Sequence, residues 1–169
     1  MLQIYCGNGK GKTSAAIGSA IRAAGDGWKV LFVQFHKNND SSEITVLESI
    51  PQVTCYFPKK KYVLFEEMTE KRKQELSDAY NQTIQHIIEN QDSYDMIVLD
   101  ELAMAYRTGT IDRKLLLNWI REAKEKKEII LTGRNPAEEL IEMADYVSEI
   151  HMVKHPYRQG ITARKGIEF

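Results

Sequence analysis

Apolar residues are spaced in two rhythms along this 169-residue chain. Six short, nearly unbroken apolar runs read as buried strands: Leu2–Cys6, Lys29–Phe35, Val53–Phe57, Met96–Asp100, Glu128–Thr132 and Tyr146–Met152. The segments between them follow helical spacing. From Thr69 to Asn90 the apolar positions are Leu76, Ala79, Tyr80, Ile84, Ile87 and Ile88, one stripe of a long amphipathic helix. An alanine-rich helix is expected from about Lys12 to Ala24, stopped at Gly25-Asp26-Gly27. The polar loop His36–Ser42 caps a short helix reaching Ser49, and a lysine-led loop runs from Pro58 to Met68. Further helices are expected through Tyr106, from Asp112 to about Lys127, and after an Asn135-Pro136 start whose core face is Ala137, Leu140, Ile141 and Ala144. A glycine-punctuated tail ends at Phe169.

Strands alternating with helices require crossovers, which are right-handed and make neighbouring strands parallel. The expectation is one domain over residues 1–169: a three-layer α/β fold with a mostly parallel central sheet covered on both faces. Ligands of such sheets bind at the carboxyl ends of the strands. Composition narrows the function. A net charge of −1 gives no bulk attraction for nucleic acid or an anionic membrane. No stretch has the length of a membrane span, and the chain enters a strand at once, without a signal-peptide pattern. Cys6 and Cys55 have no metal-type spacing and read as reduced thiols of a cytoplasmic protein.

The candidate chemistry begins where the first strand meets the first helix, at Gly7-Asn8-Gly9-Lys10-Gly11-Lys12-Thr13-Ser14. The glycines let the backbone approach a ligand, and a helix N-terminus attracts an anion. Lys12 adds a mobile positive charge and Thr13 a hydroxyl for a metal ion. This is the logic of a phosphate-binding P-loop, hence of a P-loop NTPase-like fold. The usual motif begins with a glycine, then four residues, then the Gly-Lys-Thr. Here Cys6 holds that place and Gly7 comes one position late, so the loop is one residue short or differently wrapped.

A second stretch, Ile97-Val98-Leu99-Asp100-Glu101, ends an apolar strand in two acids, which suits carboxylate coordination of Mg²⁺ beside a nucleotide. Arg134, after the strand Glu128–Thr132, is placed to reach the phosphates or to lie on the surface of a turn. His36, His86, His151 and His155 have no ligand spacing, and His86 reads as structural.

The run from Gly7 to Phe35 resembles the opening of the P-loop corrinoid adenosyltransferases, which share the short loop and a strand ending in Val-Gln-Phe. The likeness continues through Val98–Leu102, Thr132–Asp145, Val147–Ile150 and the tail Lys154–Phe169, so it covers nearly the whole chain. It implies an ATP:corrinoid adenosyltransferase, in which a Co(I) corrinoid attacks the 5′ carbon of ATP and triphosphate leaves, in adenosylcobalamin synthesis or salvage. It implies that residues 7–14 hold the triphosphate with Lys12 as counter-charge, and that Thr13, Glu101 and Asp100 hold Mg²⁺. It also implies an electron-donating reductase or flavoprotein and a homodimer. The likeness is loosest in the loop before the long helix, where the family is glycine- and aromatic-rich. There Tyr62 and Phe65 stand as candidates for blocking one cobalt face, or as anchors of the loop to the core.

Two other readings of the same residues stay open. A P-loop nucleoside kinase or other phosphoryl transferase would release ADP instead of triphosphate. A nucleotide-gated binding protein would act on a partner, with nucleic acid disfavoured by the near-neutral charge.

Overall fold

The computed structural model describes residues 1–37, 41–60 and 68–167. Its centre is a six-stranded sheet of β1 (Leu2–Cys6), β2 (Val30–Gln34), β3 (Val53–Tyr56), β4 (Met96–Asp100), β5 (Glu128–Thr132) and β6 (Tyr146–Glu149). Every pairing is parallel, and the order is β3-β2-β4-β5-β1-β6. The helices are α1 (Lys12–Gly25), α2 (Ser42–Glu48), α3 (Glu70–Asn90), α4 (Leu102–Arg107), α5 (Arg113–Ala123) and α6 (Glu138–Met143).

Alternation along the strands divides the core between the two faces. Leu31, Val33, Ile97, Leu99, Ile129 and Leu131 pack with Leu76, Tyr80, Ile84 and Ile87 of α3 and with Leu116, Trp119 and Ile120 of α5. Val30, Phe32, Val98 and Ile130 point the other way, onto Ala16, Ala20, Ala23 and Ala24 of α1 and Ile44 and Leu47 of α2. The small alanine face lets α1 lie close to the sheet. Each buried aliphatic side chain contributes about 1.5–3 kcal/mol, so β2, β4 and β5, buried on both faces, form a stiff platform. The registers Gln34 opposite Asp100 and Tyr5 opposite Thr132 bring the polar strand ends to one rim of it.

The three-layer parallel architecture follows the expected one, and β1, β4 and β5 have the expected bounds. Other boundaries differ for physical reasons. The helix expected to reach Lys127 ends at Ala123, where its apolar face runs out. Lys124 then turns to donate to the Met143 carbonyl at 2.8 Å and Lys127 to the Tyr94 carbonyl at 2.9 Å. Asn135-Pro136 does not start α6. Asn135 has φ +49°, outside the helical region, and the helix begins at Glu138 with two acids in its first turn. Of the expected α6 core face, Leu140 is buried and Ala137 and Ala144 are partly so, but Ile141 is 42% exposed. α6 is only six residues long, and Leu140 is its one buried residue. β6 stops at Glu149 instead of Met152, with all four residues exposed.

Candidate active site

The early end of β6 is tied to the glycine loop. Ile150 N donates to the Cys6 carbonyl at 2.9 Å, and Gly9 N donates to the Ile150 carbonyl at 2.7 Å. Met152 N donates to Asn8 Oδ1 at 2.9 Å. The chain after β6 therefore crosses the loop instead of continuing as strand. A Cβ on Gly7 would overlap the Ile150 carbonyl oxygen, and one on Gly9 would stand 2.8 Å from it. The missing loop residue thus has a structural counterpart: the loop lies flat against residues 150–152. Two of its glycines answer to that contact.

Because the Gly9 amide is engaged by Ile150, an anion cradle falls to later amides. The first helical bond of α1 is Ala15 N to the Gly11 carbonyl, 2.8 Å. The amides of Lys12, Thr13 and Ser14 precede it, as the open donors of a helix N-terminus do. These residues line a cavity of about 540 Å³ together with Asn8, Gly9, Lys10, Gly11, Glu101 and Arg134. Lys12 is buried, at 8% exposure, instead of extending into solvent. Its Nζ donates to the Gly9 carbonyl at 2.9 Å. Burial pushes its ammonium below the usual range, and Glu101 opposes that shift.

Opposite the loop, Asp100 is fully buried at the end of β4 and accepts four donors. Oδ1 takes the hydroxyls of Thr13 at 2.8 Å and Thr132 at 2.7 Å. Oδ2 takes Gln34 Nε2 at 3.0 Å and lies 3.2 Å from the Lys37 ammonium, which also lies 3.5 Å from Glu43. Two oxygens carry about four lone-pair sites, so this carboxylate is filled. Burial alone would push the Lys37 ammonium down, but Asp100 and Glu43 outweigh it and hold it above the usual lysine range.

Glu101, one residue on, is different. It sits in the left-handed region at φ +59°, and its amide donates to Thr132 Oγ1 at 2.9 Å. Its carboxylate lines the cavity and accepts no hydrogen bond among the described residues. Burial, and next the negative charge of Asp100, push its carboxyl above the usual range. The donor set fits a hard divalent cation. Thr13 spends its proton on Asp100 and keeps an oxygen lone pair, and Glu101 supplies an unengaged carboxylate. Among the described residues no three His, Cys, Asp or Glu side chains cluster for a metal. A cation here would draw its remaining ligands from phosphate and water.

The expected residues 7–14, Asp100, Glu101 and Arg134 thus meet at one rim. Tyr62 and Phe65 lie outside the described residues. His86 stacks on Tyr56 at 4.0 Å between centroids, as its structural reading requires. Burial pushes the His36 imidazole down to about 4, with its ring edge-on to Tyr80. Three residues were not foreseen: Gln34, Thr132 and Lys37. The first two carry a legible signal, since β2 and β4 are apolar until a last polar residue, as β5 is after its first residue, Glu128. All three of those last residues are fully buried. A larger hollow of about 640 Å³ lies at the opposite sheet end, lined by Met1, Asp95 and Lys124–Glu128. Among the described residues that line it there is none of the glycine loop and none of the first turn of an α-helix.

Comparison with known proteins agrees with this geometry. The family model described as ATP:corrinoid adenosyltransferase BtuR/CobO/CobP matches residues 1–169. A corrinoid adenosyltransferase of Pseudomonas aeruginosa is 33% identical over 170 residues, covering 100% of this chain and 83% of that one. One from Escherichia coli K12 is 33% identical over 171 residues, covering 98% and 84%. In fold, the chain resembles a KaiC-like protein of Pyrococcus horikoshii with a TM-score of 0.56 at 16% identity, over 89% of this chain and 70% of that one. With the full-length family match and the joined loop and acidic strand end, the chain belongs to the ATP:corrinoid adenosyltransferase family.

Proposed function

We propose that the rim cavity binds the triphosphate of ATP and that the chain transfers the 5′-deoxyadenosyl group to the Co(I) centre of a corrinoid. The observation that carries this reading is the 2.8 Å bond from Thr13 to Asp100, which locks the phosphate loop to the acidic strand end in a family that adenosylates corrinoids. In the reaction the cobalt electron pair forms a bond to C5′ while the C5′–oxygen bond breaks and its pair leaves with triphosphate. The nucleophile belongs to the corrinoid. The chain therefore needs no general base at C5′, and its work is orientation and stabilisation of the leaving charge.

The first-turn amides and Lys12 take the triphosphate, with Arg134 as a second cation at the rim. Thr13 and Glu101 would hold Mg²⁺, and Asp100 would act on it through Thr13. When bound, Mg²⁺ neutralises the leaving triphosphate as a Lewis acid. Lys12 leaves the Gly9 carbonyl for the phosphates, exchanging a neutral acceptor for a charged one. Tyr62 and Phe65 remain candidates for one face of the corrinoid. Family membership also underlies three proposals of setting: a reductase or flavoprotein that supplies Co(I), a homodimer, and the cytoplasm. Among the described residues no helix is long and apolar enough to cross a membrane.

The test mixes the protein with ATP, Mg²⁺ and chemically reduced Co(I) corrinoid. A light-sensitive cobalt–carbon spectrum and stoichiometric inorganic triphosphate are expected. Release of ADP without a cobalt–carbon product would establish phosphoryl transfer instead.

A further inference from the structure

We infer that Thr132 is a positioning residue of the metal half of the site, holding both acidic side chains through one hydroxyl. The inference rests on the reading of Glu101 as a metal-bearing carboxylate. Thr132 is fully buried at the end of β5, between β4 and β1 in the sheet. Its Oγ1 donates to Asp100 Oδ1 at 2.7 Å and accepts the Glu101 amide at 2.9 Å. Donor and acceptor capacity of one hydroxyl are therefore both directed at the two residues that close the metal site.

Each bond has a separate effect. The bond to Asp100 occupies the second acceptor position of Oδ1, beside the Thr13 hydroxyl, and so fixes how that carboxylate is rotated. The bond from the Glu101 amide supports φ +59°, a conformation that residues other than glycine adopt at a cost and keep when their surroundings enforce it. In an ordinary helical or extended conformation the backbone at 101 would send the side chain elsewhere. Thr132 thus converts a parallel-strand register into a metal-ligand geometry. Its own side chain does not line the cavity.

The discriminating substitution is Thr132→Val, which keeps the shape and removes the hydroxyl. ATP binding is measured by calorimetry in EDTA and across a Mg²⁺ series, alongside Glu101→Gln and Thr132→Ser. Loss of a hydrogen-bonded support behind a metal ligand typically costs roughly 10–100-fold in metal affinity. Thr132→Val should raise the Mg²⁺ needed for tight ATP binding by about 10-fold or more. ATP affinity in EDTA should stay near wild type, and Thr132→Ser should restore the wild-type metal curve. A metal curve unchanged in Thr132→Val but shifted in Glu101→Gln would overturn the inference and leave the site reading intact. A curve unchanged in both would remove the reading of Glu101 and the inference with it. If Thr132→Val does not fold, Thr132→Ala against Thr132→Ser gives the same comparison, and equal metal curves for these two would also overturn the inference.

Discussion

Asp100→Asn is a sharp perturbation because the four donors around this carboxylate are of two kinds. Gln34 Nε2 and the Lys37 ammonium can only donate, whereas the hydroxyls of Thr13 and Thr132 can turn and accept. An asparagine oxygen must therefore face Gln34 and Lys37, which puts its NH₂ against the two hydroxyls. Thr13 then accepts where it had donated. One of its two lone pairs is consumed and its proton is turned toward the cavity, the wrong polarity for a cation.

The magnitude follows from the same bonds. Two accepted bonds of a charged group are lost on the Oδ1 side, at about 1.5–3 kcal/mol each. Removing a buried carboxylate relieves part of its desolvation cost, and breaking one partner of a buried pair costs about 3–5 kcal/mol in all. A net loss of roughly 2–4 kcal/mol is expected. For a domain of this length that lowers Tm by roughly 5–15 °C. Thermal unfolding gives the stability, and calorimetry with and without Mg²⁺ gives the site. The expected result is a lower Tm together with ATP binding that no longer responds to Mg²⁺. A variant with wild-type Tm and a wild-type metal response would refute the account of Asp100 as the filled hub of the rim.

Lys12→Ala should lower adenosyl transfer by roughly 10²–10³-fold, the usual cost of deleting one donor to a developing negative charge, while Tm falls little; turnover and ATP affinity near wild type would detach this lysine from the triphosphate. Glu101→Gln should stabilise the ligand-free protein at neutral pH. Its carboxyl is raised by burial and by Asp100, so the folded state binds more protons than the unfolded one between the ordinary glutamate value and the raised one. Wild-type stability should accordingly fall as pH rises through that window and the variant's should not, which paired denaturation curves would read. Gly9→Ala brings a Cβ to 2.8 Å from the Ile150 carbonyl oxygen and 2.9 Å from the His151 backbone, contacts that cannot be relieved by rotating a side chain. A loss of about 1–3 kcal/mol is expected, with faster amide exchange at Gly9 and Ile150, and an unchanged exchange pattern would count against the tail crossing.

The sheet was legible because each central strand is its own signal. MIVLD and EIILT are short, apolar and rich in β-branched residues, and they fold within the bounds that pattern sets. Boundaries failed where tertiary context decided them. The apolar face of α5 stops at Ala123, but charged residues can extend an exposed helix, and what turns the chain there is Lys124 and Lys127 reaching carbonyls of distant segments. Asn135-Pro136 resembles a helix start, but Asn135 takes a left-handed turn and Gly133 before it packs against Ala103. The phosphate loop and acidic pair were readable from residue type and spacing. Gln34, Thr132 and Lys37 were not assigned roles, since their partners come from other strands and only the sheet order sets them side by side.

That order also explains why the short loop works. β1, which carries the loop, and β4, which carries the acids, are not neighbours: β5 runs between them. The junction is made from both sides of β5. Below it α1 brings the Thr13 hydroxyl to Asp100, and at its end Thr132 reaches Asp100 and the Glu101 amide. On the far side of β1, the segment after β6 holds the loop down through Ile150 and Met152. The loop is therefore fixed by its neighbours instead of by its own length. With the Gly9 amide bonded across to Ile150, the first-turn amides of α1 are the donors that face the cavity. Charge is arranged in the same way. Among the described residues of the rim, Asp100 has Lys37 beside it and Lys12 has the Gly9 carbonyl, whereas the half-buried Glu101 carboxylate accepts no hydrogen bond. Burial and Asp100 raise its carboxyl, which accepts no hydrogen bond among the described residues, and on the proposed reading a cation held with the triphosphate would supply what it lacks.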